Sequence, residues 1–450
     1  MPFDEREALF TDADPGYLNT RLESGIPPPS LSALPRTIRN PRGESSYASA
    51  AQRGRGPPRA PANPLRPTPT APVVPSMDVV ARLLYVVPNT RGPEFVEQLA
   101  TAEWSRMMSE RDDVRGRRSD PRLCDIGLLQ SIQAGKEKLG RQPGGQAADA
   151  VRAVDQYAAV SQCVLGRQSA VELGHVDFLL QPVREYVRAG RELQYVDVGS
   201  QDCGFARYIR WRVGQQPGGR ARGWYFGAPN AGAPLTDADL AADAGELLDP
   251  RELERFAARV RSASPSGVDL VVAEHMVVGR DVEEKEQYAY TMAQAALALR
   301  VLRAGGTFVF RAREASTPLS AELLFLVHAC FERTAIVRSF ASRPTGPDRF
   351  VVCNRLAAEP RWVAGHLLAA LGKMHAGQLK PAHLVSWTRV AGERQFIEPV
   401  MRSNTAIAQA QVQALGMAAQ ARPSAQFSRQ QTELADACLR HWGLPPTKRQ

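Results

Sequence analysis

Residues 194–212 have the residue types of a binding site for a nucleotide-like cofactor. The alternating apolar run Gln194–Gly199 predicts a strand, a turn follows as far as Gly204, and a helical pattern starts at Phe205. A strand, a glycine-bearing turn and a helix in this order let the backbone approach a cofactor that the helix N-terminus faces. Parallel sheets also use this arrangement for packing alone, so the motif by itself leaves both interpretations open.

The elements that must position this turn alternate between strand and helix from about Val187 to Leu356. Short apolar runs indicate strands buried on both faces, and longer amphipathic stretches predict helices over Glu283–Leu302 and Leu319–Arg333. The predicted strands are Gln194–Gly199, Gly223–Phe226, Val268–Ala273, Thr307–Arg311, Ala335–Phe340 and Phe350–Asn354. This alternation predicts an α/β fold with a Rossmann-like, doubly wound parallel sheet.

The sequence divides into four predicted segments. Residues 1–77 are rich in proline and arginine and are expected to be disordered, either as a passive linker or as an arm that contacts RNA or an acidic partner. Residues 78–186 are expected to be a mostly helical preface, and residues 187–356 the α/β domain. Residues 357–450 are expected to be a helical C-terminal extension with a basic end.

Composition narrows the function classes. The formal net charge of +9 is compatible with a polyanionic partner such as RNA. Six scattered cysteines without a C-x-x-C pair or histidine cluster predict neither a disulfide framework nor a metal site. No apolar stretch is long enough for a signal sequence or a membrane span. A soluble intracellular protein without a membrane partner is expected, and the arginine-rich segments favour the nucleus over the cytoplasm.

Several stretches, in the same order and with similar spacing, resemble the FtsJ-like, cap-specific mRNA ribose 2′-O-methyltransferases. The first, Asp197–Arg212, is similar to the family pattern D-x-C-A-G-P-G-G-F-S-E-Y-x-x-W-R. The others are Ala170–Phe178, Asp269–Glu274 (D-L-V-x-A-D in the family), Ala304–Arg311 (x-G-G-x-F-x-x-K), Cys330–Arg333, Ser342–Cys353, Met401–Asn404 (I-R-S-N) and Cys438–Pro445 (C-L-x-x-W-G-I-P). The resemblance covers roughly residues 120–445.

This resemblance implies the S-adenosylmethionine-dependent methyltransferase fold and transfer of a methyl group to a ribose 2′-hydroxyl of capped mRNA. It implies S-adenosylmethionine as the cofactor. The cofactor-binding positions that it assigns are Asp197, Gly199, Gly204, Phe205, Glu246 and Glu274. Capped mRNA or other RNA is the expected partner, together with proteins of the capping or transcription machinery.

The family's catalytic Lys-Asp-Lys-Glu tetrad is substituted at every position. It falls here on Glu172, Glu274, Arg311 and Asp348. Arg311 stands where the family has the lysine that acts as base, and a guanidinium stays protonated in proteins. Glu172 reverses the charge of the other lysine. Glu274 replaces an aspartate and Asp348 replaces a glutamate, so each keeps its negative charge and changes the side-chain length by one methylene group.

The cofactor loop departs from the family as well. Gln201, Asp202 and Cys203 replace the G-P-G of the family, and a side chain at a position that needs a positive φ costs about 1–2 kcal/mol. His275 and the following methionine replace a glycine pair. The histidines 175, 275 and 328 are not expected to be catalysts, and His328 is expected to pack in the core.

Two main hypotheses follow. The first is a homologue with a degenerate site that binds RNA and is inactive or only weakly active in methyl transfer. The alternative is an active 2′-O-methyltransferase with a reorganised site, in which Glu172 is the base and Arg311 stabilises charge. A non-catalytic scaffold subunit is a third interpretation of the same substitutions.

Overall fold

The structure is a computed structural model and describes most of the chain beyond residue 83. The described residues are 84–89, 119–142, 146–200, 203–227, 240–243, 245–274, 284–313, 315–357, 361–378, 383–421 and 425–447. The predicted disordered segment 1–77 lies outside these ranges, as do Gln201, Asp202 and His275. All described residues belong to one unit, Pro72–Gln450.

Eight strands in the described ranges form one sheet in the order β1-β7-β8-β6-β5-β2-β3-β4. They are β1 Leu84–Pro88, β2 Leu193–Val198, β3 Ala221–Phe226, β4 Leu240–Asp243, β5 Val268–Ala273, β6 Leu302–Ala312, β7 Phe331–Val337 and β8 Arg349–Leu356. Strands β2 to β6 pair in parallel, whereas β8 is antiparallel to both β6 and β7. The predicted α/β class and Rossmann-like doubly wound sheet are confirmed.

One side of the sheet departs from the predicted parallel arrangement. The segment between β7 and β8 has no helix in it, and a connection without a crossover element joins antiparallel strands. β1 also pairs in antiparallel fashion, with β7, and so a strand of the predicted helical preface completes the sheet.

Twelve α-helices lie in the described residues. They are α1 Ile126–Gly140, α2 Gln146–Val154, α3 Gln168–Leu180, α4 Arg184–Arg188, α5 Gly204–Gly214, α6 Pro250–Ala263, α7 Glu284–Val301, α8 Pro318–Ala329, α9 Arg361–His375, α10 Trp387–Gly392, α11 Arg394–Ala418 and α12 Ala425–His441. A 3-10 helix spans Ala158–Gln162. The helix predicted over Leu319–Arg333 ends at Ala329, because Phe331 begins β7 and pairs with Leu356. Gly305 and Gly306, which follow the helix predicted over Glu283–Leu302, lie within β6.

The alternation of side chains along the central strands separates the core from the candidate site. Val196, Val198, Phe308 and Phe310 belong to the large apolar core that also contains buried residues of α6, α7, α8 and α9. Successive strand residues point to opposite faces, so Asp197 and Arg311 belong to the other face. Helices α3 and α5, which contact each other, cover that face.

Candidate active site

Two of the four tetrad positions are brought together by strand pairing. Ala273 of β5 is in register with Phe310 of β6, so the next residues along the two parallel strands, Glu274 and Arg311, are neighbours at the carboxyl edge of the sheet. The Arg311 Nη2 atom lies 3.0 Å from Glu274 Oε1. The backbone N–H of Glu274 donates to the Val198 carbonyl at 3.1 Å, which fixes this residue beside the end of β2.

The third position comes from α3. Glu172 is 1% exposed, and its carboxylate forms an ion pair with Arg311 Nη2. The Gln168 side-chain amide donates to Glu172 Oε1 at 3.4 Å and to the Ala341 carbonyl at 3.0 Å. One turn of α3 therefore supplies both the acid and the amide that orients it.

The fourth position, Asp348, acts on Arg311 at longer range. Burial lowers the pKa of Arg311, the negative charge of Asp348 opposes that shift, and Arg343 adds to it. The Asp348 Oδ1 atom is buried and accepts no hydrogen bond from the described residues. The Arg311 guanidinium carbon lies 5.3 Å from the centre of the Phe350 ring. Arg311 thus forms ion pairs with two carboxylates, those of Glu172 and Glu274, and Asp348 acts on it at longer range.

This arrangement limits the available proton chemistry. A guanidinium held by two carboxylates has no lone pair to accept a proton from a hydroxyl group. The Glu172 carboxylate, which the alternative hypothesis needs as base, is already committed to Arg311. The geometry therefore describes a closed ion-pair cluster, and the catalytic roles of its four members stay predictions.

The glycine-bearing turn keeps its backbone shape. Gly199 has a φ of +72°, and its N–H donates to the Phe226 carbonyl at 2.8 Å. A Cβ atom on Gly227 would lie 3.3 Å from the Gly199 Cα atom, so the ends of β2 and β3 approach closely. Cys203 has a φ of +52° and is 8% exposed. A buried side chain thus occupies a left-handed position in the turn, which costs about 1–2 kcal/mol.

Asp197, near the end of β2, holds this turn through hydrogen bonds. It is fully buried, and its Oδ2 atom accepts hydrogen bonds from Ser200 Oγ at 2.7 Å and from the Ala206 N–H at 3.1 Å. Ala206 is in the first turn of α5, whose N-cap residue Cys203 makes no side-chain capping bond. Asp197 therefore supplies the helix cap from the neighbouring strand, a structural task separate from its predicted role in cofactor binding.

The remaining predicted cofactor positions are spread along the same edge. Gly204 and Phe205 begin α5, and the Phe205 ring lies 6.1 Å from the Phe350 ring, which contacts Arg311. Glu246 is exposed after β4, and its carbonyl accepts from the Asp249 N–H at 3.1 Å. No described contact joins Glu246 to the turn, and its predicted role stays untested.

These residues fit S-adenosylmethionine poorly. The backbone frame at Gly199 is retained. However, the Asp197 Oδ2 atom is engaged by the turn itself, and Cys203 places a thiol where the resembled family has glycine. We therefore assign no reaction step to the cofactor.

Sequence reasoning missed a buried carboxylate beside the site. Asp177 is fully buried and accepts from the N–H groups of Val183 (2.7 Å) and Arg184 (3.0 Å), from Arg184 Nε (3.2 Å) and from the Tyr208 hydroxyl (2.5 Å). Arg212 Nε also approaches it to 4.0 Å. This one carboxylate therefore links α3, α4 and α5. The only indication of this residue in the sequence was that Asp177 lies within Ala170–Phe178, one of the stretches that resemble the family.

The same network extends to the C-terminal segment. Arg184 Nη2 donates to the Trp442 carbonyl at 2.6 Å, and Arg212 Nη2 donates to the Gly443 carbonyl at 2.8 Å. Trp442 in turn packs against His175, with ring centres 4.4 Å apart. Three separated stretches that resemble the family thus meet in one scaffold behind the turn.

A second scaffold joins β8 to α11. Arg349 is 3% exposed and donates through Nη1 to Asn404 Oδ1 at 2.5 Å. The Asn404 amide donates in turn to the carbonyls of Leu123 (3.0 Å) and Ala315 (2.9 Å). The residues that keep the family pattern here hold the fold together, while the tetrad positions have changed.

Two of the described histidines, His175 and His328, are buried and held neutral by that burial. Burial lowers the pKa of His175 to about 3 and that of His328 to about 4. His175 Nδ1 accepts from the Phe340 N–H at 3.3 Å, and His328 Nδ1 lies 3.0 Å from Thr334 Oγ1. His328 is a packed core residue, as the sequence predicts, and His275 lies outside the described residues.

No group of three or more His, Cys, Asp or Glu side chains in the described residues is placed to hold a metal ion. Among the described helices, none is both long and apolar enough to cross a membrane. The six cysteines are buried, and none of them forms a disulfide bond.

The chain is similar to methyltransferases among known proteins. Residues 179–356 match the FtsJ-like methyltransferase family. Over 362 residues the chain is 24% identical to cap-specific mRNA (nucleoside-2′-O-)-methyltransferase 1 of Drosophila melanogaster, an alignment that covers 74% of this chain and 45% of the relative. The Homo sapiens protein of that name is 23% identical over 359 residues, with coverage of 73% and 43%. The chain therefore spans less than half the length of these relatives.

Two solved structures that match are more distant in sequence. A ribosomal RNA methyltransferase from Plasmodium falciparum aligns with a TM-score of 0.32 and 10% identity, covering 42% of this chain and 97% of that one. Human methyltransferase-like protein 13 in complex with SAH aligns with a TM-score of 0.30 and 11% identity, covering 45% and 90%.

Proposed function

Residues 179–356 form an FtsJ-like methyltransferase domain, and from this premise we propose that the chain is an RNA-binding homologue of the cap 2′-O-methyltransferases that lacks their lysine-based catalysis. The relatives in the comparison carry the cap-specific mRNA 2′-O-methyltransferase name, which motivates capped RNA as the ligand. Only the family resemblance supports S-adenosylmethionine as the cofactor, because Cys203 and Asp197 fit it poorly.

One observation carries this proposal: the cation at the base position is held in an ion pair with Glu172 and lies 3.0 Å from a Glu274 oxygen. A catalytic base for a ribose hydroxyl must spend part of its time unprotonated. Arg311 remains a cation, and Glu172 neutralises it. The cluster therefore supports loss of methyl transfer more strongly than a reorganised active site.

A positive charge near the ion-pair cluster supports the proposal that the chain still binds RNA. Arg343 is exposed and lies close enough to Arg311 to affect its pKa. The loop that carries Arg343 is fixed by Arg338, whose Nη2 donates to the carbonyls of Arg343 (2.9 Å), Pro344 (3.0 Å) and Gly346 (3.1 Å). A rigid loop with an exposed arginine is suited to a phosphate contact.

The proposal is tested by two titrations of the full chain. We expect fluorescence anisotropy to show saturable, salt-sensitive binding of a short capped RNA, weakened several-fold by Arg343→Glu. Arg251→Glu, which changes an exposed arginine on α6, is the matched control and should leave the affinity unchanged. Calorimetry with S-adenosylmethionine should show no tight binding.

Two outcomes would count against the proposal. Salt-insensitive or absent RNA affinity would favour a pure scaffold subunit. Tight S-adenosylmethionine binding together with methylation of the capped RNA would instead establish the reorganised enzyme.

A further inference from the structure

A groove lies at the edge of the sheet opposite the ion-pair cluster. It encloses about 440 Å³ between the second half of α6, the end of α7 and the start of β6. We call it the arginine groove, after Arg261, Arg300 and Arg303, which line it together with Glu254. The groove and the ion-pair cluster lie at opposite ends of β5, whose six residues span about 20 Å.

Contacts with the protein hold the three guanidinium groups in place. Arg261 Nε donates to the Arg300 carbonyl at 2.9 Å, near the C-terminus of α7. Arg303 donates to Asp269 Oδ1 at 2.7 Å and to the Ala304 carbonyl at 2.8 Å. Arg300 donates to Glu254 Oε1 at 2.7 and 3.1 Å. Each guanidinium is thus oriented through some of its N–H groups.

The same groups keep donors for a ligand. Within the described residues, the Nη atoms of Arg261 make no hydrogen bond, nor does Nη2 of Arg303 or Nη1 of Arg300. Among the described residues, Glu254 lines the groove and pairs with Arg300, and Asp269 pairs with Arg303. Three guanidinium groups therefore meet two carboxylates, and the groove keeps one net positive charge. Oriented arginines with spare donors form a receptor for carboxylates that loses little side-chain entropy on binding.

The floor of the groove is aliphatic. Leu299, Leu302 and Leu356 line it from the edge of the core, each no more than 4% exposed, and Ala258 is exposed at its rim. Among the described residues no aromatic ring lines the groove, so bases have no stacking surface there. Carboxylates next to short apolar side chains match this surface better than a nucleic acid does.

We propose that the arginine groove docks an acidic peptide segment of a partner protein, with its carboxylates on the three arginines and an aliphatic side chain on the leucine floor. The inference is independent of the proposed function, because the groove lies on the other edge of the sheet. It also needs no part of the chain outside the described residues.

The test is fluorescence anisotropy with a labelled peptide of alternating glutamate and leucine and the full chain. We expect saturable binding that weakens as salt is raised. Arg300→Glu should raise the dissociation constant at least about tenfold, because it reverses a charge in the groove. Ala258→Glu should have a similar effect by placing a carboxylate at the rim. Arg251→Glu, at the far end of α6 and 83% exposed, should leave binding unchanged.

Two control ligands keep the proposal falsifiable. A peptide of alternating lysine and leucine should not bind, and one of glutamate and serine should bind more weakly. Equal affinity of the wild type and Arg300→Glu for the glutamate–leucine peptide, or no saturable binding, would overturn the proposal. Saturable binding of a labelled uncapped RNA that both Arg300→Glu and Ala258→Glu weaken, with no binding of the peptide, would also overturn it and make the groove a nucleic-acid site.

Discussion

The Arg311 guanidinium is paired with the Glu172 carboxylate between β6 and α3, at the position that the resembled family uses for its catalytic base. Glu172 is 1% exposed, so the pair is shielded from solvent on the acid side. An arginine in this position stabilises the contact between helix and sheet.

Removing the acid should destabilise the fold. Glu172→Gln leaves Arg311 buried with Glu274 as its remaining ion-pair partner among the described residues, and we expect a loss of about 2 kcal/mol in the free energy of unfolding. Urea denaturation measures this loss. The exposed substitution Glu192→Gln is the control and should change stability by less than about 0.5 kcal/mol. An equal or greater stability of Glu172→Gln would show that the pair is not a structural contact.

The Asp177 network should be worth more than that pair. Asp177→Asn keeps the size of the side chain but removes the charge that Arg184 faces and replaces an acceptor oxygen with a donor, so we expect a loss of about 3 kcal/mol or more. Tyr208→Phe removes only one donor and should cost about 1–2 kcal/mol. Thermal or urea unfolding distinguishes them, with the exposed substitution Asp149→Asn as control. A smaller loss in Asp177→Asn than in Tyr208→Phe would contradict the network.

Backbone strain at Cys203 can be measured with a pair of variants. Both Cys203→Ala and Cys203→Gly remove the thiol, but only glycine adopts a φ of +52° without steric cost. We therefore expect the glycine variant to be more stable than the alanine variant by about 1 kcal/mol in chemical denaturation. If alanine is the more stable of the two, the left-handed conformation is wrong.

Buried histidines predict a loss of stability in acid. The folded-state pKa of His328 is lowered from its ordinary 6.5 to about 4. Between pH 6.5 and pH 4 the unfolded chain therefore binds a proton at this histidine that the folded chain does not bind. Stability from this group is present above pH 6.5 and is lost as the pH falls towards 4, by about 2 kcal/mol between pH 6.5 and 5.

The check is a comparison of unfolding free energies at these two pH values. His328→Gln removes the titrating group and should lose less stability than the wild type over this interval, even if it is less stable at both. An identical loss in the two proteins would mean that His328 does not carry this pH dependence.

The sequence predicts the central elements well because they are local patterns. Val268–Ala273 is a continuous apolar run and forms β5 with the predicted bounds. The antiparallel placement of β8 was not predictable from its own residues, since parallel and antiparallel buried strands have similar composition. Strand β1 was missed because its pairing with β7 spans more than 240 residues of sequence.

At the candidate site, too, the sequence predicts local motifs but not the contacts between distant elements. The four tetrad positions were identified by their motifs, but the Glu172–Arg311 pair depends on how α3 lies against β6, which no spacing specifies. The role of Asp197 as a helix cap for α5 likewise needs the three-dimensional register of the turn. Asp177 and Arg349 were hidden because a buried charged residue is recognisable only once its partners are placed.

Methyl transfer to a capped RNA, measured by mass spectrometry of the digested RNA after incubation with the full chain and S-adenosylmethionine, tests the central claim most directly. The closed cluster at Arg311 predicts that the first-nucleotide ribose remains unmethylated, whether the wild type or Glu172→Gln is used, because neither contains a base that can be unprotonated at the Arg311 position. Accumulation of the 2′-O-methylated nucleotide with the wild type, lost in Glu172→Gln, would contradict the claim and make Glu172 the base.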